Sequence, residues 1–117
     1  MVTRSMFGNI PLLVVTSAAL LCLAAPSYGQ QAKEIQLSYK GKQFQPSEIS
    51  APANTPLTLR VKNLDADSME FESTTLRVER VIAGKAEGVI NIRPLKPGRY
   101  EFFDDLNDKS VGSLNVQ

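Results

Sequence analysis

The chain has 117 residues, with 13 Lys and Arg against 12 Asp and Glu, a single Cys and no His. A balanced charge without a polybasic run excludes the clustered basic face that nucleic acid or an anionic membrane surface would require. Without His, and with Cys22 inside an apolar stretch, the chain lacks the common general base and thiol nucleophile, and it has no Gly-rich phosphate loop. We therefore expect a protein that is not an enzyme and does not bind nucleic acid.

Residues 1–29 have the pattern of a secretory signal peptide. Arg4 precedes an apolar stretch from Ile10 to Ala25, and the small residues Ser27 and Gly29 stand third-last and last before Gln30. A permanent membrane anchor is the alternative, but the apolar stretch is short for spanning a bilayer. We predict cleavage before Gln30 and a periplasmic or secreted protein.

Cys22 raises the question of a lipid anchor. The residue before it is Leu21, whereas a lipid-modified cysteine usually follows a small residue, so no lipid anchor is expected. Removing the segment that contains Arg4 leaves residues 30–117 with equal numbers of acidic and basic side chains and no cysteine. One domain, stabilised by its apolar core without disulfides, is predicted for these residues.

The sequence pattern of residues 30–117 indicates short strands separated by turns. Apolar and polar residues alternate with the period of two typical of half-buried strands at 35–39, 55–63, 69–73, 100–102 and 111–116. The segment Leu76–Ile82 fits either a strand or one helical turn, and residues 85–92 alternate imperfectly. Lys96-Pro97-Gly98-Arg99 suits a type II turn with Gly98 at positive φ. The pattern predicts an all-β fold, a Greek-key β-sandwich or barrel of about seven strands.

Several of these motifs resemble the cupredoxins. They are Phe44-x-Pro46, the strand that ends in Val61-Lys62-Asn63, and the run Leu95-x-Pro97-Gly98-x-Tyr100-x-Phe102. More narrowly, Glu70-Phe71-Glu72-Ser73 and Leu76-Arg77-Val78-Glu79 resemble the EfeO-type cupredoxin-like domains, which accompany bacterial iron permeases. The resemblance covers nearly all of residues 30–117 and implies a cupredoxin fold.

The resemblance places three residues at the cupredoxin ligand positions. Met69 stands where the first His is expected, Asp104 where the Cys is expected, and Asn107 where the second His is expected. A type 1 copper site needs two His and one Cys. We therefore expect no type 1 copper and no electron transfer, and Met69 is also explained as an ordinary core methionine.

The acidic residues offer a different metal hypothesis. Glu70 and Glu72 leave the same face of a strand, and Asp104, Asp105 and Asp108 follow on a loop. Carboxylates suit Mn, Mg, Ca or iron rather than Cu(I), and the EfeO-type resemblance also implies iron handling by an acidic pair. The sequence thus predicts metal ligands at Glu70, Glu72, Asp104 and Asp105. The alternative is a solvated acidic face neutralised by basic neighbours, namely Arg77, Arg80 and Lys109.

Two functions remain open from the sequence. In the first, the protein is a periplasmic accessory that binds or presents iron, or copper, to a membrane iron permease and works with other periplasmic iron-uptake proteins. In the second, it is a metal-free interaction module on a cupredoxin frame that has lost its metal site. No cofactor is certain in either case.

The signal-peptide pattern leads to the first testable prediction. Expressed with its own N-terminus in a Gram-negative host, the protein should accumulate in the periplasm with Gln30 or a close neighbour as its first residue. Intact-mass measurement on fractionated cells checks this. Recovery of a Met1 start in the membrane fraction would contradict it.

Overall fold

A computed structural model describes residues 31–117, except for the side chains of residues 108 and 109. The predicted signal peptide, residues 1–29, lies outside the described residues. Within them the chain forms nine strands and no helix: β1 (Lys33–Lys40), β2 (Gln43–Gln45), β3 (Glu48–Ala51), β4 (Leu57–Asn63), β5 (Met69–Ser73), β6 (Val78–Ile82), β7 (Glu87–Ile92), β8 (Gly98–Asp104) and β9 (Asn107–Val116). Accordingly, the described part contains no helical segment able to cross a membrane.

The nine strands form two sheets packed face to face. One sheet has the order β2-β1-β4-β7 and the other the order β3-β9-β8-β5-β6. The pairs β1–β4 and β3–β9 are parallel, and the other pairs are antiparallel. The predicted all-β sandwich is confirmed. The strand number exceeds seven partly because the region around Phe44 and Glu48 forms two short strands, one in each sheet.

Alternation along the strands builds the core. In β4 every second residue from Leu57 to Asn63 is buried, and in β5 the same holds from Met69 to Ser73. Phe71 and Phe102 stack with ring centroids 5.0 Å apart, and Phe44 meets Phe102 edge-on at 4.9 Å. The Phe44 contact joins the two sheets, because β2 belongs to one sheet and β8 to the other, whereas the Phe71–Phe102 stack lies within one sheet.

Two local expectations are decided by the structure. The ambiguous segment Leu76–Ile82 contains a strand, β6, preceded by a turn in which Leu76 is buried. The predicted type II turn with Gly98 at positive φ is wrong, since Gly41 is the glycine with positive φ among the described residues. Gly98 instead begins β8, opposite Val116.

Close packing at one glycine gives a test of the fold. A Cβ added at Gly112 would lie 2.3 Å from Cε2 of Phe102 and 2.9 Å from the carbonyl oxygen of Ser47. Gly112→Ala should therefore lower the free energy of unfolding by about 1–3 kcal/mol through overpacking. Gly98→Ala is the matched control, because its Cβ would meet no atom closer than 3.7 Å. Equal denaturation midpoints for the two variants would contradict the packing described here.

Candidate functional site

A cleft opens at one end of the sandwich, where β1 and β8 end and the loops after β1 and β4 meet. Its volume is about 590 Å³. Its lining has polar and apolar surface in similar amounts and comprises Tyr39, Gly41, Lys42, Asp65, Ala66, Asp67, Ser68, Asp104, Leu106 and Asn107. The cleft therefore includes two of the three positions that match cupredoxin ligands.

Asp104 is the buried carboxylate of this cleft. It is the last residue of β8, its side chain points inward like that of Phe102, and only 2% of its surface is exposed. Its Oδ2 accepts a hydrogen bond from the Tyr39 hydroxyl at 2.5 Å. Its Oδ1 accepts hydrogen bonds from the backbone N–H groups of Glu70 at 2.9 Å and Leu106 at 3.0 Å. Asp104 thus links β1, β5 and the turn after β8.

Tyr39 is the principal side-chain partner of Asp104. Burial, followed by the hydrogen bond to Asp104, raises the pKa of Tyr39 from its ordinary 10.0 to about 12. Ser110 Oγ lies 3.4 Å from the same hydroxyl and donates a hydrogen bond to the carbonyl oxygen of Lys42. The phenol is therefore held as a neutral donor across the whole physiological range.

The other two ligand-position residues flank Asp104. Met69 is fully buried and belongs to the hydrophobic core, which agrees with its interpretation as a core methionine. Asn107 is half-buried, pairs with Asp104 across the β8–β9 turn and lines the cleft. The fold thus gathers the three positions at one end, but they carry a thioether, a hydrogen-bonded carboxylate and an amide.

A second acidic group lies on the outer face of the five-stranded sheet. Glu70 and Glu72 project from β5, and Glu79 projects from β6 directly opposite Glu72. One carboxylate oxygen from each of the three lies within 4.8 Å of the others. Glu70 and Glu72 are half-buried and Glu79 is exposed. Three hard oxygen donors at this separation suit a single cation.

Asp105 adds a fourth carboxylate. Its backbone N–H donates to the carbonyl oxygen of Glu70 at 3.0 Å, and its side chain raises the pKa of both Glu70 and Glu72. We call Glu70, Glu72, Glu79 and Asp105 the carboxylate cluster. None of the ion pairs among the described side chains includes a member of it.

The carboxylate cluster is under electrostatic strain. The pKa of Glu70 is raised first by its hydrogen bond with Glu79, then by burial and by repulsion from Glu79 and Asp105. The pKa of Glu72 is raised first by burial, then by repulsion from Asp105 and Glu79. A carboxyl whose folded-state pKa is raised stabilises the fold at low pH, and that stabilisation is lost as pH rises through the raised value. Deprotonation of these carboxyls as pH rises therefore adds repulsion within the cluster.

The structure places the predicted ligands in two groups. Glu70, Glu72 and Asp105 lie together on the outer face, whereas Asp104 points to the opposite side of the sheet, into the buried cleft. Glu79 joins the outer group although the sequence analysis did not choose it. Two antiparallel strands joined by a short turn place Glu72 and Glu79 opposite each other, but the sequence leaves 76–82 ambiguous between a strand and a helical turn and so does not predict this pairing. The side chain of Asp108 lies outside the described residues.

Of the three basic residues predicted to neutralise this region, Arg77 forms none of the ion pairs that the structure describes, and Arg80 lies on the other row of its strand. Arg80 pairs with Phe71 and so belongs to the other row of β6, whereas Glu79 shares the row of Glu72. The side chain of Lys109 is outside the described residues. Arg80 is thus directed away from the carboxylate cluster by the strand alternation.

Comparison with protein families and sequences gives two matches. Residues 13–116 match the family model of the cupredoxin-like domain. The chain is also 34% identical over 84 residues to an uncharacterized protein of Rickettsia prowazekii (strain Madrid E), a match that spans 71% of this chain and 67% of that protein.

Solved structures give the same fold at low sequence identity. The metal binding domain of the Streptococcus pneumoniae Cu(I)-exporting P-type ATPase CopA aligns with a TM-score of 0.63 and 21% identity, over 72% of this chain and 84% of that chain. A copper binding protein in its apo form aligns at 0.63 and 19%, over 76% and 100%. Auracyanin A, a blue copper protein of Chloroflexus aurantiacus, aligns at 0.63 and 12%, over 74% and 100%. At these identities the likeness establishes the fold.

The Tyr39–Asp104 hydrogen bond can be tested by titration and by substitution. Tyr39→Phe leaves Oδ2 of a buried carboxylate without its donor, so the free energy of unfolding at neutral pH should fall by about 1–3 kcal/mol. In a Tyr100→Phe background, ultraviolet titration of the mature protein should give a tyrosine pKa near the value of about 12 expected for Tyr39.

The sign of the pH dependence follows from the raised pKa of Tyr39. The stabilisation is present below the ordinary value of 10.0 and is lost as pH rises toward about 12. Denaturation midpoints measured over this range should fall with pH in the parent more steeply than in Tyr39→Phe. An ordinary tyrosine pKa in the folded protein would contradict the hydrogen bond.

Proposed function

Because this chain belongs to the cupredoxin-like domain family, we propose that it is an exported, non-enzymatic accessory protein that binds a hard metal ion at the carboxylate cluster. Iron is the first candidate, and a membrane iron-uptake permease, with its periplasmic partner proteins, is the proposed recipient. The EfeO-type resemblance supports this narrower assignment. The observation that carries the proposal is the convergence of Glu70, Glu72 and Glu79 within 4.8 Å.

The donor set argues for the class of ion. Carboxylate oxygens favour Fe(III), Mn(II) and similar hard cations over Cu(I), which prefers thiolate and thioether ligands. A cation among the four carboxylates would also remove the repulsion that raises the pKa of Glu70 and Glu72. The copper proteins among the structural relatives make Cu(II) the second ion to test.

The ligand-position residues argue against type 1 copper. That centre requires a Cys thiolate and two His, whereas Asp104 already accepts three hydrogen bonds and the residue at the second His position is Asn107. The donors of the cleft therefore do not fit a blue-copper ion, and no electron transfer is assigned to this protein.

The carboxylate cluster is open to solvent, and this exposure indicates whether the protein would deliver an ion or store it. It occupies an open strand face beside the edge strand β6, and Glu79 is exposed. An ion held there keeps coordination positions on the solvent side, which favours delivery over storage. The metal-free interaction module explains the fold equally well but leaves the carboxylate cluster without a function.

The proposal is tested by removing charge from the cluster. Glu70→Gln with Glu72→Gln keeps side-chain size, removes two ligands, and should weaken Fe(III) or Mn(II) binding at least about tenfold, equivalent to about 1.4 kcal/mol. Calorimetric titration of the mature protein with Mn(II), Cu(II) and Fe(III) citrate at one ionic strength measures this.

A matched control removes the same charge elsewhere. Glu34 and Glu87 pair with Arg60 on the four-stranded sheet, so Glu34→Gln with Glu87→Gln should leave metal affinity unchanged. Equal affinity of the parent and the Glu70/Glu72 double variant would place binding elsewhere. A parent without measurable affinity would favour the metal-free module.

A further inference from the structure

Two exposed apolar side chains lie on the face that carries the carboxylate cluster. Val81, Leu106 and Val111 are the large apolar residues that the described part of the chain exposes, at 63%, 61% and 61%. Val81 lies directly opposite Glu70 in the β5–β6 pairing, whereas Leu106 lies in the turn after β8 and lines the cleft. Exposed apolar groups gathered on one face are a mark of interaction surfaces.

The third of these residues extends the same face toward β9. Val111 lies opposite Phe103, and Phe103 lies opposite Glu72. An apolar strip of Val111 and half-buried Phe103 therefore runs across the sheet into the carboxylate cluster. On the outer face the carboxylate cluster of β5 and β6 thus adjoins the apolar strip on β8 and β9, and the same row of β8 continues past that strip with Glu101 and Arg99.

A groove with an unpartnered hydroxyl continues this face. It has a volume of about 240 Å³ and is lined by Ser47, Glu48, Arg99, Glu101, Phe102, Phe103, Val111, Gly112 and Ser113. Ser113 is 1% exposed, and among the described residues its Oγ is the buried side-chain oxygen without a hydrogen-bond partner. An unsatisfied buried hydroxyl costs free energy that an incoming hydrogen-bonding group would recover.

The rim of the groove is also acidic. The Arg99 guanidinium lies 3.5 Å from Glu48 and 3.7 Å from Glu101, so one positive charge faces two negative ones. Both ends of the face therefore carry excess negative charge, with apolar side chains between them. Charge complementarity then calls for a partner that is basic at both ends and apolar in the middle.

We propose that the outer face of the five-stranded sheet is a docking surface for an extended segment of a partner protein with Lys or Arg at its first and fifth positions and an aliphatic residue at its third, so that all three side chains leave the same side of the segment. The path from β6 to β9 crosses three strand spacings of about 4.8 Å, which about five extended residues span. The basic side chains meet the carboxylate cluster and the groove rim, and a backbone group of the segment pairs with Ser113 Oγ. This surface requires no bound ion, so it goes beyond the proposed metal function.

The charge of the face argues against other occupants. A second copy of this chain would place like charges opposite each other, and an anionic membrane would be repelled. A neutral apolar segment would cover the carboxylate cluster without pairing it, at a high desolvation cost. A segment with both basic and aliphatic residues pairs the carboxylates and covers the apolar strip.

The test uses isotope-labelled mature protein in chelator-containing buffer and a short synthetic peptide with lysine at its first and fifth positions, valine at its third and serine at the positions between them. We expect saturable chemical-shift changes confined to the outer-face residues of β5, β6, β8 and β9. Peptides with glutamate in place of lysine, or serine in place of valine, should bind at least about tenfold more weakly. Shifts centred on the four-stranded sheet, or no binding of the lysine–valine peptide, would overturn the proposal.

Protein variants separate this surface from general electrostatic attraction. Val81→Ser with Val111→Ser, and Glu70→Gln with Glu72→Gln, should each weaken peptide binding, whereas Glu34→Gln with Glu87→Gln should not. Ser113→Ala should weaken binding about two- to tenfold while leaving the denaturation midpoint of the free protein unchanged or higher, because its hydroxyl has no partner in the fold. Equal losses in all charge variants would overturn the proposal.

The remaining occupants are distinguished in the same samples. A concentration-dependent dimer on sedimentation, abolished by Val81→Ser with Val111→Ser, would assign the face to a second copy. Co-sedimentation with phosphatidylglycerol vesicles at physiological salt would assign it to a membrane. Either result would overturn the assignment to a basic partner segment.

Discussion

The end of the sandwich that carries the cleft depends on one buried carboxylate. Asp104 is 2% exposed, and a carboxylate in that position is tolerated only if its oxygens are hydrogen-bonded. Tyr39, Glu70 and Leu106 supply the donors. In a type 1 copper protein a metal ion joins the strands through the thiolate at the matching position. In this chain hydrogen bonds from the protein itself make that connection.

The same interaction positions the outer face. The side chain of Asp104 accepts a hydrogen bond from the backbone N–H of Glu70, and the backbone N–H of Asp105 donates one to the carbonyl oxygen of Glu70. These two hydrogen bonds fix β5 against the end of β8. Because successive side chains of a strand point to opposite faces, the inward position of Asp104 directs Asp105 outward. The side chain of Asp104 therefore lies in the cleft, and the side chain of the next residue, Asp105, completes the carboxylate cluster.

Most of the fold could be predicted from the alternation of apolar and polar residues. A strand that buries one face and exposes the other has apolar residues at every second position, as β1, β4, β5 and β8 do. This alternation does not show which residues of neighbouring strands lie opposite each other. The proximity of Glu79 to Glu72 depends on β6 being a strand, which the residues around Leu76 left ambiguous. Likewise, Asp104 and Asp105 are adjacent in sequence, and only the direction of β8 at its end separates a buried hydrogen-bond acceptor from a surface carboxylate.

The outer face is kept at a cost in stability. Four carboxylates repel one another with no described cation to neutralise them, a hydroxyl is buried without a partner, and Val81 and Val111 are exposed. The repulsion and the unpartnered hydroxyl destabilise the isolated protein, whereas the exposed valines leave unused the free energy that burial against a partner would gain. Features that destabilise a fold and lie together on one face are most simply explained by binding, since a ligand or partner that contacts that face relieves them all at once.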